Sequence, residues 1–377
     1  MNDVAKRAKV KKFRAVVYGG GIGVFPPLMK RFQEEFEIVA TLSPEMPRIF
    51  EWIFRLVSIR WPRNAWYRRW RHYLEKTPFA FRAYTRASAK LLRPLEGQYD
   101  LILFLGATFH PGVPVTKPLI LITDSCRWLS AHNIHDEVSH FRSADEEVEW
   151  LVLEQEVYQS AARIFVGNSF VRDGLITHYG MDPTRVVVSG FGAGFGFGEP
   201  YNKKFDGRTI LYIGKGDFEK KGGGVLLKAF KKVRHLRPDA VLHIVGQDRL
   251  PELPGVVNHG FVRDREKIVS LMRQAHVYTL PSLVDRNPIT ILEAMAAGTP
   301  CVASDYGAMP DLVGEAGLIT PCNDVDNLAE ALLTILNAPD LARTMGGHGR
   351  ERYLKLYNWD VVWQIIRSEV ITVLAQQ

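Results

Sequence analysis

The chain has 377 residues, of which 46% are hydrophobic and 24% charged, ordinary proportions for a globular protein with length for two cores of roughly 150–200 residues each. No apolar run approaches the ~18–20 residues that cross a bilayer, and the basic start MNDVAKRAKVKKFRAVVYGG holds too short a hydrophobic segment for a signal peptide. The formal charge of +7 suits an anionic partner, whether nucleic acid, anionic membrane or nucleotide, while the widely spaced Cys126, Cys301 and Cys322 read as reduced thiols of a cytosolic protein without a structural zinc.

The first predicted strand, RAVVYG, runs into the glycine loop of VVYGGGIGVF. Gly19 and Gly21 fit the first two places of a G-x-G-x-x-G fingerprint, but Val24 stands at the third. The next strand, EIVATL, ends in Thr41 and Leu42 with no carboxylate for a ribose, which argues against a hydride-transferring dinucleotide enzyme. The loop is either a tight strand-to-helix turn, or a place where bare backbone at Gly20 and Gly21 approaches a phosphate or sugar.

From Arg48 to Arg93 the chain is basic and aromatic, with Trp52, Trp61, Trp66 and Trp70 interleaved among arginines. Arg48, Glu51, Arg55 and Ser58 form a narrow polar stripe at helical spacing, leaving a broad face of Ile49, Trp52, Ile53 and Leu56. Such a segment suits an anionic membrane surface, although a cover over its own domain's cleft or a site for an anionic acceptor would use the same residues. No nucleic-acid recognition motif accompanies it.

DLILFLG, PLILIT, RIFVGN and RVVVSG continue an alternation of strands with helical stretches, the pattern of a parallel sheet covered on both faces. GFGAGFGFGEPYNKKFDGRT then alternates glycine with aromatics and reads as a linker. The pattern restarts with TILYIG, AVLHIVG, VVNHGFV, VYTLPS and PCVASD. The expectation is two doubly wound α/β domains, residues 12–198 (with the insert at about 45–93) and 209–352, joined by a hinge at 199–208 and closed by a helix over 353–377 that crosses back. Ligands in such folds bind beyond the carboxyl ends of the strands.

VDRNPITILEAMAAGTPCVASD carries the densest chemistry, with seven residues between the carboxylates of Asp285 and Glu293. Asn287 reads as a helix N-cap and Pro288 as the first helical position, with Gly298 and Pro300 as the stop. The amides of Thr290, Ile291 and Leu292 fall in the first turn, whose positive end attracts phosphate. Glu293 either favours the helix start or, on an inward face, holds two vicinal ribose hydroxyls. Asp324 and Asp326, an Asp-x-Asp pair, precede a helical stretch and read as a cap, not a metal site.

PSLVDRNPITILEAMAAGTPCVASDYGAMPDLV resembles the signature segment of the retaining glycosyltransferases of family four, which have the GT-B fold of two Rossmann-like doubly wound domains facing a central cleft. In that family two glutamates occupy the positions of Asp285 and Glu293. The resemblance runs back through ILYIGKGDFEKKGGGVLLKAF, LHIVGQD and VNHGFVRDREKIVSLMRQAHVYTLPS, covering most of residues 205–340, and touches the first half mainly at RIFVGNSFVRDGLITHYGMDPTRVVVSGFG. It implies that Glu293 binds the ribose of a nucleoside-diphosphate sugar and that Asp285 faces the transferred sugar or the attacking hydroxyl. Lys215 stands where the family usually has Arg, and Lys221 resembles its phosphate-binding Lys, with Lys220 able to exchange roles. Gly246 marks where the nucleotide approaches, Val262 where main chain meets the base, and Asn287, Pro288, Ile289, Thr290 and Ile291 the donor-binding helix start. Asp124 occupies about the place of a sugar-contacting His in many relatives, and His110 is an acceptor-side substitute.

Asp285 is one methylene shorter than the family's Glu, and Arg286-Asn287-Pro288 replaces a glycine-rich stretch, with Pro288 removing an amide. The resemblance implies a metal-independent retaining glycosyltransferase without cofactor, its second domain holding the donor and its first a glycan or lipid-linked envelope precursor. The expected location is cytoplasmic, at the inner face of a membrane, with no nucleic-acid partner. Lys215, Lys221 and the helix near Pro288 would stabilise the departing diphosphate during front-face attack. The alternative, motivated by Asp285 and Asp124, is a catalytically silent sugar-nucleotide-binding or scaffolding protein on the same fold.

Overall fold

The computed structural model describes residues 12–19, 26–59, 63–136, 139–194, 196–198, 203–214 and 216–377. The chain divides into two compact units, one of Met1–Thr123, Arg142–Phe165 and Arg367–Gln377, the other of Asp124–Phe141 and Val166–Ile366.

One six-stranded sheet comprises β1 (Arg14–Tyr18), β2 (Glu37–Leu42), β3 (Leu101–Leu105), β4 (Leu119–Thr123), β5 (Ala161–Val166) and β6 (Val186–Val188), in the order β2-β1-β3-β4-β5-β6. β3 and β4, LILFL and LILIT, are buried at every residue, as expected of parallel strands covered on both faces. The chain leaves β1 for β2 on one side and returns as β3 on the other, so the topological switch point lies between β1 and β3. Gly20 and Gly21, in the loop after β1, lie outside the described residues. The loop after β3 carries His110, whose Nδ1 accepts from the Gly112 amide at 3.0 Å; burial pushes its pKa down, so the ring is a neutral acceptor there.

The second six-stranded sheet comprises β7 (Thr209–Ile213), β8 (Val241–Val245), β9 (Val256–Asn258), β10 (Val277–Leu280), β11 (Cys301–Ser304) and β12 (Gly317–Thr320), all parallel, in the order β12-β11-β10-β7-β8-β9. Here β8 and β9 build outward on one side of β7, and β10 to β12 on the other, which puts the switch point between β7 and β10. The helix Gly223–Leu236 buries Leu226, Ala229, Phe230 and Val233 in this unit's core, and Val325–Asn337 buries Leu328, Leu332, Ile335 and Leu336. Asp324 caps the latter helix by accepting from the Asp326 and Asn327 amides, each at 2.9 Å, a contact worth about 1 kcal/mol.

The glycine-aromatic segment after Ser189 is anchored in this unit wherever it is described. Trp359 Nε1 donates to Ala193 O at 2.8 Å. Lys203 Nζ donates to the carbonyls of Met272 and Arg273 at 3.2 and 2.8 Å and to Thr299 Oγ1 at 2.9 Å. It thereby satisfies two carbonyls in the last turn of the helix Arg265–Gln274. In the closing helix Trp359–Ala375, Glu369 pairs with Arg163 at 2.8 Å and Arg367 with Glu35 at 2.5 Å within the first unit.

Candidate active site

The loops that leave β7 and β10 at their carboxyl ends, flanking the switch point, carry the lysines and carboxylates singled out in the sequence. After β7 the chain makes a turn in which Asp217 Oδ1 and O accept from the amides of Lys220 and Lys221 at 3.2 and 3.1 Å. Lys220 O then accepts from the Leu283 and Val284 amides and from Ser282 Oγ, fastening this turn to the segment after β10. Gly222 closes the contact: it has φ +75°, and an added Cβ would stand 1.8 Å from Pro281 O. Only glycine combines that backbone conformation with that approach.

This fastening gives the two lysines different partners. Lys221 Nζ lies 2.6 Å from Asp285 Oδ2 and 3.3 Å from Val284 O. Lys220 Nζ lies 2.6 Å from Asp136 Oδ1, and Arg286 Nη1 is 3.8 Å from Asp136 Oδ2. Burial pushes the Asp136 carboxyl up, but hydrogen bonds from Lys220 and Ser139 and the charges of Lys220 and Arg286 outweigh it, leaving the pKa below the usual range. The exchange of roles allowed by sequence is therefore not symmetric in the free protein. Lys215 lies outside the described residues.

The reading of Asn287 as an N-cap needs correction. The helix runs Ile289–Ala296 with Pro288 at the cap position and no side-chain cap bond. Asn287 is held elsewhere, its Nδ2 donating to Asp124 O and its Oδ1 accepting from Asn168 Nδ2 at 2.7 Å. Asn168 Nδ2 also donates to Arg286 O at 2.8 Å, while its Oδ1 caps the helix Ser169–Tyr179 through the Val171 amide. The Ile289 and Ile291 amides bond to Asn287 O and Pro288 O, each at 2.9 Å, so two of the candidate donor-binding amides already have carbonyl partners. Thr290 is fixed through its side chain, accepting from the fully buried Tyr278 hydroxyl at 2.6 Å.

Glu293 is 6% exposed and accepts from the Gly194 amide at 3.3 Å. Burial pushes its pKa up to about 7, against the opposing pull of that amide and of Arg265. A ligand that donates two hydroxyls to it would favour the ionised form. Gly246, at φ +101°, follows β8, and its amide donates to Gly260 O at 2.8 Å, which fixes the approach of the loop carrying half-buried Val262.

Asp136, Asn133, Asn168, Tyr212 and Tyr278 were not found from sequence. Asn133 donates to Leu283 O at 3.1 Å, bracing the same loop as Asp136. Tyr212, in β7, is fully buried, and its hydroxyl has no hydrogen-bond partner among the described residues. An added Cβ at Gly214 would stand 2.1 Å from that hydroxyl. A tyrosine inside an otherwise aliphatic strand, as in TILYIG and VYTLPS, was the available signal. A cavity of about 970 Å³ along the helix Arg265–Gln274 is lined by Thr209, His243 and Arg273, and by none of the site carboxylates or lysines named above.

Two parallel doubly wound sheets, and a cationic turn meeting a helix start at the switch point of the second, define a protein of the GT-B glycosyltransferase fold. Residues 207–338 match the family described as glycosyl transferases group 1. A phosphatidyl-myo-inositol mannosyltransferase of Mycolicibacterium smegmatis is 39% identical over 168 residues, 42% of this chain and 43% of that protein. The matched stretch thus spans less than half the length of that relative. Among solved structures, sucrose-phosphate synthase from Thermosynechococcus elongatus superposes with a TM-score of 0.70 at 18% identity, covering 97% of this chain and 100% of that one. Anabaena HepE, solved in complex with UDP and glucose, gives a TM-score of 0.63 at 15% identity, covering 96% and 100%.

Proposed function

We propose that this chain transfers a sugar from a nucleoside-diphosphate donor to an acceptor hydroxyl with retention of anomeric configuration and without a metal. The observation that carries the reading is the pairing of Lys221 with Asp285 at 2.6 Å beside the start of the helix that bears Glu293. The donor diphosphate displaces Asp285 from Lys221, which converts a closed ion pair into a lysine on the leaving group and a carboxylate free to accept from a sugar hydroxyl or the incoming acceptor. Lys215, Lys221 and the first-turn amides stabilise the charge that grows as the anomeric bond breaks. Glu293 holds the ribose, with Gly246 and Val262 beside the base and Asp124 accepting from sugar hydroxyls. The acceptor proton passes to the departing phosphate on the same face, so no separate base is needed.

The second unit is the donor half and the first the acceptor half in this reading, with His110 on the acceptor side and the backbone at Gly20 and Gly21 among the groups that approach the donor's phosphate or sugar. The mannosyltransferase similarity and the net charge of +7 support a glycan or lipid-linked acceptor. A cytoplasmic place at a membrane's inner face fits Cys126, Cys301 and Cys322, none of which forms a disulfide among the described residues. The test is a thermal-shift screen of nucleotide sugars followed by donor hydrolysis. One donor should stabilise the protein and slowly release free sugar; tight binding with no turnover in the presence of any acceptor would instead support the silent binding protein.

A further inference from the structure

We propose that the outer ridge of the helix Arg48–Val57 is a docking surface for an anionic lipid bilayer. The helix has two apolar faces. Phe50 and Phe54 face inward onto Met46, Leu74, Ala80 and Ala83, with Phe50 against Phe79 at 5.0 Å between ring centroids and Phe54 stacked on Tyr73 at 5.5 Å. Trp66 Nε1 donates to Arg55 O at 3.0 Å and ties the helix Arg63–Glu75 to it. The other face packs on no core cluster among the described residues. Ile49, Trp52, Ile53 and Leu56, spaced i, i+3, i+4 and i+7, are 65%, 63%, 43% and 64% exposed, and Val57 and Ile59 continue the strip. A surface helix ordinarily turns such a stripe into the core; here the core is already served by the two phenylalanines.

Charge selects the occupant. Residues 48–71 hold seven arginines and one carboxylate, so a second copy of this face would meet its own positive charge. Arg48 is exposed at the head of the ridge, and Arg55 lies over the rings of Trp52 and Trp70 at 5.6 and 4.7 Å, which keeps a guanidinium at the edge of the apolar strip. Arginine forks recognise lipid phosphate, tryptophan settles at the boundary between head groups and acyl chains, and the aliphatic ridge enters beneath them. Arg71 is less available, since both its Nε and Nη2 donate to Glu75. No donor-site residue takes part, so the inference stands apart from the transferase reading.

The experiment is co-sedimentation of the full chain with phosphatidylglycerol-phosphatidylcholine vesicles and with phosphatidylcholine alone, at low and high salt. The expected result is binding to the anionic vesicles, weakened by salt, with a Trp52→Ser/Leu56→Ser variant losing about tenfold or more of the partitioning. Because both side chains are exposed, its thermal unfolding should match wild type, and Arg48→Ser should weaken binding and flatten its salt dependence. Equal binding by wild type and the ridge variant, or no binding to anionic vesicles at any salt, overturns the proposal. Lipid-free dimerisation abolished by the ridge variant, with no vesicle binding, overturns it in favour of self-association.

Discussion

Glu293→Gln should make the protein more stable at alkaline pH while weakening donor binding. The folded carboxyl has a pKa of about 7 against the ordinary 4.5. Between those values the folded chain holds a proton that the unfolded chain has released, so this group's contribution is fully present below about pH 4.5 and is lost as pH rises through about 7. The shift corresponds to about 3 kcal/mol lost by about pH 8, or roughly 6–12 °C in the unfolding midpoint of a unit this size. Glutamine removes the titration while its amide oxygen can still accept from Gly194. Thermal unfolding of both proteins between about pH 5 and 9 should show the variant's midpoint advantage growing with pH. Calorimetry with the stabilising donor should show wild-type affinity falling about tenfold from pH 8 to 6, because ribose binding needs the ionised carboxylate, whereas the variant is weaker and pH-independent. A constant difference in midpoint across the range would refute the buried-carboxylate argument, and unchanged donor affinity in the variant would remove Glu293 from the ribose site.

Lys221→Ala should lower turnover by roughly a hundredfold or more, the loss expected when a charged group aimed at a leaving group is removed. Lys231→Ala, on the exposed face of the helix Gly223–Leu236, should be nearly silent; equal losses would show that only general charge is sensed. Gly222→Ala should destabilise the second unit by about 3 kcal/mol in urea unfolding, since φ +75° and the approach of Pro281 O exclude a side chain; a silent substitution would mean that the turn is not held as described. Asp136→Asn should raise turnover sensitivity to salt by loosening Lys220, with the Michaelis constant for the donor moving more than the rate constant. An unchanged salt profile would assign Asp136 to packing alone.

The sheets were legible because buried parallel strands read as unbroken apolar runs: LILFL and LILIT allow no other element of that length. β12, Gly317–Thr320, was missed, being four residues long, opened by glycine and only partly buried at the sheet edge. In the basic insert, spacing identified Ile49, Trp52, Ile53 and Leu56 as one face but suggested nothing about which way it looks. The deciding residues are Phe50 and Phe54, whose partners lie in the following helices. Ser58 was placed on the polar stripe, yet the helix ends at Val57 and the cap residue turns under it, fully buried. At the site, Asp285, Glu293, Lys220 and Lys221 could be read along one stretch or from resemblance. The assignment of Lys220 to Asp136 and of Asn287 to Asn168 could not, because each joins residues more than 80 positions apart. An asparagine before a proline is as good a cap in sequence as a bridge; which it becomes depends on a distant partner.

The most direct measurement is the anomeric configuration of the sugar released from an α-linked nucleotide sugar, followed by proton NMR before mutarotation, in wild type and in Lys221→Ala. Release of the α-anomer first, suppressed in the variant, is the outcome predicted by front-face departure of a diphosphate held by Lys221. The β-anomer first, or α-release unchanged by the substitution, would contradict it.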